Sequence, residues 1–525
     1  MPIDNPADEP GISQDVTAAG LPNPEDVICV LKKPVSTGHV YEVIALEQEE
    51  RDGKPSFSLR RYSRARNDGG GVEDVALQSL VQDFGIHDPP PHLRSGPQRR
   101  VHVLVSTHSG TRLSLPFHND VLAPLLGAIG LTASGEGQNS YQLLITQDAA
   151  SVSNFARGLA DQIRREKDVE HTVVLLSGDG GIVDILNSYA SAYEDDDEPT
   201  TTTGRDAEEL RKLPLIAVLP LGTGNALFHS LHKTVKAPAA SPDLVQGLRT
   251  LLRGSAAPLP SFKAVFPAGS RTIAYSETVV DAPSTGADPA NTTDTSPGLR
   301  EQAEGVTHLY GVVVASYGFH SQLVWESDTP AYRRHGAKRF QMVAQELLKE
   351  SHAYRATVEI VRSTTTGGGG EAVVGSSERL GRDRHAYVLA TPVSNLEKTF
   401  CISPASRPLD GQLRLVHFGP VDGAKTMEIM MAAYDGGKHV DMRWGRATAQ
   451  GQDEENRDEE VDDGVGYEAI GEVRITTHEE DARWRKVCID GTIVEIPTDG
   501  CMVVSKETRR HLRILVDESI RSPIN

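Results

Sequence analysis

Short apolar runs at 101–105, 142–145, 172–176 and 215–219 read as buried strands, each followed by a polar or glycine-rich turn. After the third run Ile182, Ile185, Leu186 and Tyr189 recur at helical spacing, and a helix over 226–232 follows the fourth. Strands alternating with helices predict an α/β domain with a parallel sheet over residues 98–236. Ahead of it, runs at 27–31, 39–46 and 56–62 predict a small β-rich extension over 26–97, and residues 1–25 are polar and Pro-rich, expected as a disordered tail. Beyond residue 236 β-like runs dominate, at 311–315, 357–361, 387–390, 413–417 and 473–476. They predict an antiparallel β-sandwich domain over 237–525. Four polar or acidic stretches, 194–211, 281–304, 363–382 and 447–471, read as solvated insertions.

Charge narrows the ligand classes. Among 525 residues, 53 Lys+Arg stand against 73 Asp+Glu, a net charge of −20. Bulk attraction to nucleic acid or an anionic membrane is excluded, so an anionic ligand needs a local basic cluster. Four scattered cysteines give no metal or disulfide spacing, and no segment approaches the ~20 apolar residues of a membrane span. A cytoplasmic protein with peripheral membrane contact is expected.

Two turns carry the chemistry. The third strand run ends in Ser177-Gly178-Asp179-Gly180-Gly181, and the fourth in Pro220-Leu221-Gly222-Thr223-Gly224-Asn225. Glycine turns that open helices bring backbone amides to a phosphate without Cβ obstruction. Asp179 among such amides is electrostatically awkward unless it takes a proton or holds Mg²⁺. Each turn alone is also an ordinary βα connection; the pair in this order frames one cleft. A Walker-like stretch at 419–426 lacks the required glycine at Ala424 and sits among the later β runs.

Those two turns resemble the marks of the diacylglycerol kinase catalytic domain, shared by diacylglycerol, ceramide and sphingoid-base kinases. The Ser at 177, the Asn-Ala-Leu ending at 227, and the islands Tyr317-Gly318-Phe319, Glu326-Ser327, 332–336 and 338–340 look more like its sphingosine kinase branch. NAD kinases share the first turn, and the second favours the lipid kinases. The resemblance implies an α/β nucleotide-binding domain of the NAD kinase/diacylglycerol kinase type followed by the β-sandwich, with ATP and Mg²⁺ between them. It implies phosphoryl transfer to a primary lipid hydroxyl, first of a sphingoid long-chain base; a diacylglycerol or ceramide acceptor, a catalytically silent nucleotide or lipid binder, and a soluble-substrate kinase of the NAD kinase type are the alternatives.

By the same resemblance Asp179 is the catalytic base, and Ser177, Gly178 and Gly180 line the acceptor headgroup. The implied nucleotide contacts are Ser106, Thr107, His108, Thr146, Asp184, Gly222, Thr223, Gly224 and Asn225, the arginines Arg333 and Arg339 as phosphate clamps, and Asp490, Gly491 and Thr492. Three places depart from the family. Ser106 to Gly110 lacks the Asn-Pro of the first nucleotide turn, Thr492 replaces a glutamate, and Val324 stands six residues after Gly318, where sphingosine kinases place an Asp for the substrate ammonium. If Val324 holds that place, a sphingoid base loses its counter-ion and a neutral lipid alcohol gains.

Overall fold

The computed structural model describes residues 20–35, 38–51, 53–66, 75–107, 110–133, 139–193, 207–233, 241–277, 299–336, 338–362, 377–444 and 464–520. Most of the tail and of the four insertions lies outside these residues, as does His108. Two insertions carry strands at their ends: Leu299–Gly305 pairs with Arg271–Glu277, and Ser377–Arg379 pairs with Tyr354–Arg362.

The N-terminal extension is a sheet ordered Lys54–Arg66, Gly38–Arg51, Val27–Val35, Gly85–Ile86. The strand Val27–Val35, with a register shift between Val27 and Cys29, serves two cores at once. Val27 and Val30 pack with Leu77, Leu80 and Phe84 of the helix Val75–Phe84, while Ile28, Cys29 and Leu31 join Val103, Phe117 and Leu125 of the α/β domain. The extension is therefore built onto the α/β domain.

The α/β sheet runs Gln142–Ile145, Arg99–Val105, Glu170–Ser177, Leu215–Pro220, Arg513–Val516, Ser255–Pro258. The first five strands are parallel and the last is antiparallel, so the sheet is mixed rather than purely parallel. Its last two members, Arg513–Val516 and Ser255–Pro258, come from beyond residue 236. The helix Asp243–Arg253, which the sequence reading passed over, buries Leu244, Val245, Leu248, Leu251 and Leu252 beside Leu215, Ala217 and Leu219.

Two histidines face each other inside this sheet. His102 and His171, on neighbouring strands, stack with ring nitrogens 3.1 Å apart and are 3% and 1% exposed. Burial, and for His102 the adjacent His171, depresses both, to about 3 and about 4. An unfolded imidazole titrates near 6.5, so these histidines stabilise the fold fully above that pH, and the stabilisation fades as pH falls toward their folded values. Between pH 6.5 and 5.5 stability should fall by about 1 kcal/mol for each of the two histidines, a loss that a His102→Phe, His171→Leu double variant should not show in thermal melts.

Where a two-layer sandwich was expected, the described residues form one continuous sheet of fourteen strands, largely antiparallel. It curls, so that Phe262, Tyr317, Val358, Leu415, Val473 and Val504 from distant strands enclose a single core. A second core is continuous with the α/β domain: Ile182, Ile185 and Leu231 join Val312, Tyr387, Leu389 and Phe418. Asn187 reinforces that junction by exchanging two hydrogen bonds with the Tyr310 backbone, at 2.8 and 2.9 Å.

Candidate functional site

Parallel strands that end in tight turns bring those turns together at one edge of the sheet, where ligands bind in open α/β folds. Strand pairing sets Ser106 beside the end of Glu170–Ser177, its amide donating to the Leu176 carbonyl. Thr107 and Thr146 close the neighbouring strand ends, the Thr107 amide donating to Thr146 Oγ1 at 3.0 Å and Thr107 Oγ1 to the Thr146 carbonyl at 2.8 Å. Thr111, which the sequence reading did not single out, donates to the Leu221 carbonyl at 2.8 Å and ties the first turn to the last.

The two glycine turns touch backbone to backbone. A Cβ on Gly222 would stand 2.3 Å from Gly178 Cα and 2.8 Å from Asn225 Oδ1, and one on Gly178 would stand 2.8 Å from Gly222 Cα. Asn225 adopts the left-handed conformation, φ 52°, and its side-chain amide clasps the turn, accepting from the Gly222 amide and donating to the Gly222 carbonyl, both at 3.0 Å. Gly110 completes the cradle, since a Cβ there would meet Thr223 Oγ1 and its amide. Gly222→Ala should therefore cost about 1–3 kcal/mol and at least about tenfold in affinity for a nucleotide analogue, because the Gly178 backbone and the Asn225 amide that holds the turn stand in the way. Gly180 faces open space, so the melting temperature of Gly180→Ala should match the parent.

Asp179 opens the helix Asp179–Ser191. Its carboxylate accepts from the amides of Ala226 at 2.7 Å and Leu227 at 3.0 Å, capping the helix Ala226–His232. Burial raises its pKa, and those two amides pull against the rise. Asp184, further along the same helix, is exposed as a residue, and the neighbouring protein partly desolvates its carboxyl and pushes it up to about 6. Ser177 is buried, its Oγ beside Gly181.

Asp490 and Gly491, at φ 48° and 92°, make the two-residue turn between Lys486–Ile489 and Thr492–Glu495. The Asp490 carboxylate accepts from three successive amides, Val312 at 2.6 Å, Val313 at 3.0 Å and Val314 at 2.5 Å. Burial pushes it up to about 7, and the charge of Asp179 adds to the rise. The two carboxylates are therefore near enough to influence each other.

The implied phosphate clamps are engaged elsewhere. Arg333 forks onto Asp328, Nε to Oδ1 at 3.0 Å and Nη2 to Oδ2 at 2.7 Å, and donates to the Tyr275 carbonyl. Arg339 lies 3.5 Å from the same carboxylate. Asp328 was not legible as their partner, because it sits in the turn between two short helices. Val324 packs with Ile273, Cys488 and Ile493. The Walker-like stretch is a helix start, with Asp422 accepting from the Lys425 amide and Lys425 Nζ paired to Glu428.

A nucleotide's phosphates fit this cradle. The amides of Thr223 and Gly224 are taken by no acceptor of the chain, beside glycines that no Cβ could replace. Among the described residues no group of three His, Cys, Asp or Glu side chains is placed to hold a metal. Mg²⁺ is ordinarily held by phosphates, water and one or two carboxylates, and Asp184 and Asp179 are the carboxylates placed at these turns.

Residues 100–256 match the family model described as the diacylglycerol kinase catalytic domain. The match spans the strand ends, both glycine turns and Asp179, and ends before Val324, Arg333, Arg339 and Asp490. No curated protein sequence matches the chain. Two crystal structures of a protein from Bacillus anthracis str. Sterne described as a diacylglycerol kinase are similar at 12% identity, covering 81% of this chain and 100% of that one, with TM-scores of 0.42 and 0.41.

Proposed function

We propose that the chain is a lipid kinase that transfers the γ-phosphoryl of ATP to a primary hydroxyl of a lipid, working in the cytoplasm with peripheral contact to membranes. Among the described residues no helix is long and apolar enough to cross one. The motif islands favour a sphingoid long-chain base as acceptor, and a diacylglycerol or ceramide is the alternative. The observation that carries the reading is Asp179 lodged between two interlocked glycine turns. Such turns cradle phosphates, and a carboxylate there is placed to act on the attacking group.

In this mechanism ATP with Mg²⁺ supplies the phosphoryl group and offsets its charge. Thr223 and Gly224 donate their amides to phosphate oxygens. Asp179 accepts the hydroxyl proton as the lipid oxygen bonds to the γ-phosphorus and the bond to the ADP oxygen breaks. Arg333 and Arg339 exchange Asp328 for phosphate oxygens, a trade of one charged fork partner for another. A radiometric assay of transfer from ATP·Mg²⁺ to sphingosine, phytosphinganine, ceramide and diacylglycerol should give a labelled lipid.

A second reading, a silent nucleotide or lipid binder, draws on the engagement of both Asp179 oxygens and both arginines within the chain. ATP binding with no transfer to any lipid would favour it. Labelled NADP in place of labelled lipid would favour the soluble-substrate kinase.

A further inference from the structure

The α/β sheet has a second edge. Its parallel strands Arg99–Val105, Glu170–Ser177, Leu215–Pro220 and Arg513–Val516 all start on the side opposite the glycine turns. The length of Glu170–Ser177 puts that edge about 20 Å from the first of those turns. An open groove of about 1090 Å³ lies there, between the chain leading into Arg99, the turn before Glu170 and the short helix Ala207–Lys212. Five cations line it, Arg94, Arg99, Lys167, Arg211 and Lys212, against three carboxylates. Among the described residues no acceptor takes the side chain of Lys167, Arg211 or Lys212. On a chain of net charge −20 such a local excess is the place to which an anion is drawn while the rest of the surface repels it.

A further guanidinium stands behind the wall. Arg513 is 7% exposed, and its Nε donates to the Leu213 carbonyl at 2.9 Å, but its Nη2 is buried with no hydrogen-bond partner. Glu170 Oε2 lies 3.7 Å from that nitrogen, too far for a hydrogen bond, and is taken by Arg99 Nη2 at 2.6 Å. Arg99 Nε is also buried and unpartnered. One carboxylate thus serves two guanidiniums. Burial lowers the Arg513 pKa; Glu170 opposes the fall, and the charges of Arg99 and Arg211 add to it. A buried guanidinium short of an acceptor is destabilising, and an anion bound nearby offsets that cost.

We propose that this groove is a second ligand site, separate from the cleft, for a phosphomonoester held by Arg99, Lys167, Arg211 and Lys212 with the charge of Arg513 behind them. The site stands whether or not the chain phosphorylates a lipid. Guanidinium forks match phosphate oxygens, and a tetrahedral dianion accepts from several elements at once, which suits cations that arrive from a strand, a turn and a helix. The groove has the size of a site for a whole small molecule rather than a lone ion. A phosphomonoester reaches it on a dissolved polyol phosphate or on a phospholipid headgroup, and an open groove admits either.

The test uses the full-length protein with its cleft filled by a non-hydrolysable ATP analogue and Mg²⁺, so that phosphate binding is not read there. Calorimetric titration with inositol trisphosphate should show one bound per chain. Its affinity should fall at least about tenfold between about 0.05 and 0.5 M NaCl. Charge reversal on the exposed helix, Arg211→Glu with Lys212→Glu, should weaken it at least about tenfold. The melting temperature and the affinity for the ATP analogue should stay at the parent's values, which separates a lost site from a lost fold. Arg513→Gln should weaken it as well. Vesicles of phosphatidylcholine with phosphatidic acid present the same group on a surface. Sedimentation with them that Arg211→Glu with Lys212→Glu abolishes assigns the site to a headgroup, and trisphosphate binding without sedimentation assigns it to a dissolved ligand. Neither probe bound, or binding unmoved in both the helix variant and Arg513→Gln, would overturn the proposal. A chain that binds the trisphosphate here yet phosphorylates no lipid sinks the lipid-kinase reading alone.

Discussion

Asp179→Asn should reduce lipid phosphorylation by about 10²–10⁴-fold, the usual worth of a positioned general base, with nucleotide binding retained. The side chain keeps its shape, and its amide oxygen still accepts from one of the Ala226 and Leu227 amides. Its new NH₂ meets the other amide donor to donor, which costs about 1–3 kcal/mol. Activity and stability therefore separate. A cap alone predicts a lower melting temperature with turnover within about tenfold of the parent; a base predicts collapse of turnover in a protein that still melts cooperatively. The pH profile adds a second reading. Burial raises the Asp179 pKa, and a base must be ionised to take a proton, so kcat should fall on the acid side at a pH above the ordinary carboxylate range. Radiometric turnover from pH 5 to 8, beside thermal melts of both proteins, checks each point.

The legibility of each feature in the sequence depends on how local its determinant is. Three of the four strand runs of the α/β sheet read clearly, because strands covered on both faces are continuous apolar runs; the run 142–145 is a strand too, but at the sheet edge, with Leu143 and Ile145 exposed where burial was expected. The helix Ala226–His232 and the Gly222 to Asn225 turn were equally clear: only residues that tolerate a left-handed backbone suit position 225. The helix Asp243–Arg253 carried its signal too, in Leu244, Leu248, Leu251 and Leu252 at helical spacing, but the β-like runs that dominate beyond residue 236 masked it. The run 311–315 misled for a physical reason. Its valines look like strand, yet the amides of Val312, Val313 and Val314 bond to a carboxylate 176 to 178 residues away, and the strand begins only at Ala315.

The sandwich expectation failed on similar grounds. Alternation along a strand fixes which residues face inward, but not whether the sheet curls on itself or pairs with a second one. The return of Arg513–Val516 to the α/β sheet is also a pairing across almost three hundred residues, set by register with Leu215 and Ile216 and by nothing local. At the site, the glycines and Asp179 were legible as chemistry. Asp328 was not, because an acid in a turn acquires a role only from what it faces.

Asp490→Ala should be the most destabilising single change in the cleft. It strips the acceptor from three adjacent amides, each about 1–3 kcal/mol when left unpaired, so the loss should reach at least roughly 3 kcal/mol. Asp490→Asn keeps the turn, since Asn tolerates the left-handed backbone that φ 48° requires, and keeps one acceptor oxygen. It also removes a charge that works against its neighbour. The Asp490 carboxyl is pushed up to about 7 by burial and then by Asp179, above its unfolded value of about 3.9. Its contribution to stability is therefore full below about pH 4 and is lost as pH rises through about 7. Hence the deficits of Asp490→Asn and Asp490→Ala should both be wider at pH 5 than at pH 8 and should narrow by the same amount, because neither residue ionises, with Asp490→Ala the less stable of the two throughout. Denaturant titrations of the three proteins at pH 5 and pH 8 decide it. A deficit in Asp490→Asn that is equal at both pH values would mean that Asp490 carries no raised pKa. It would also mean that the two carboxylates do not share one electrostatic site, and the acid limb of turnover would then have to be set by Asp179 alone.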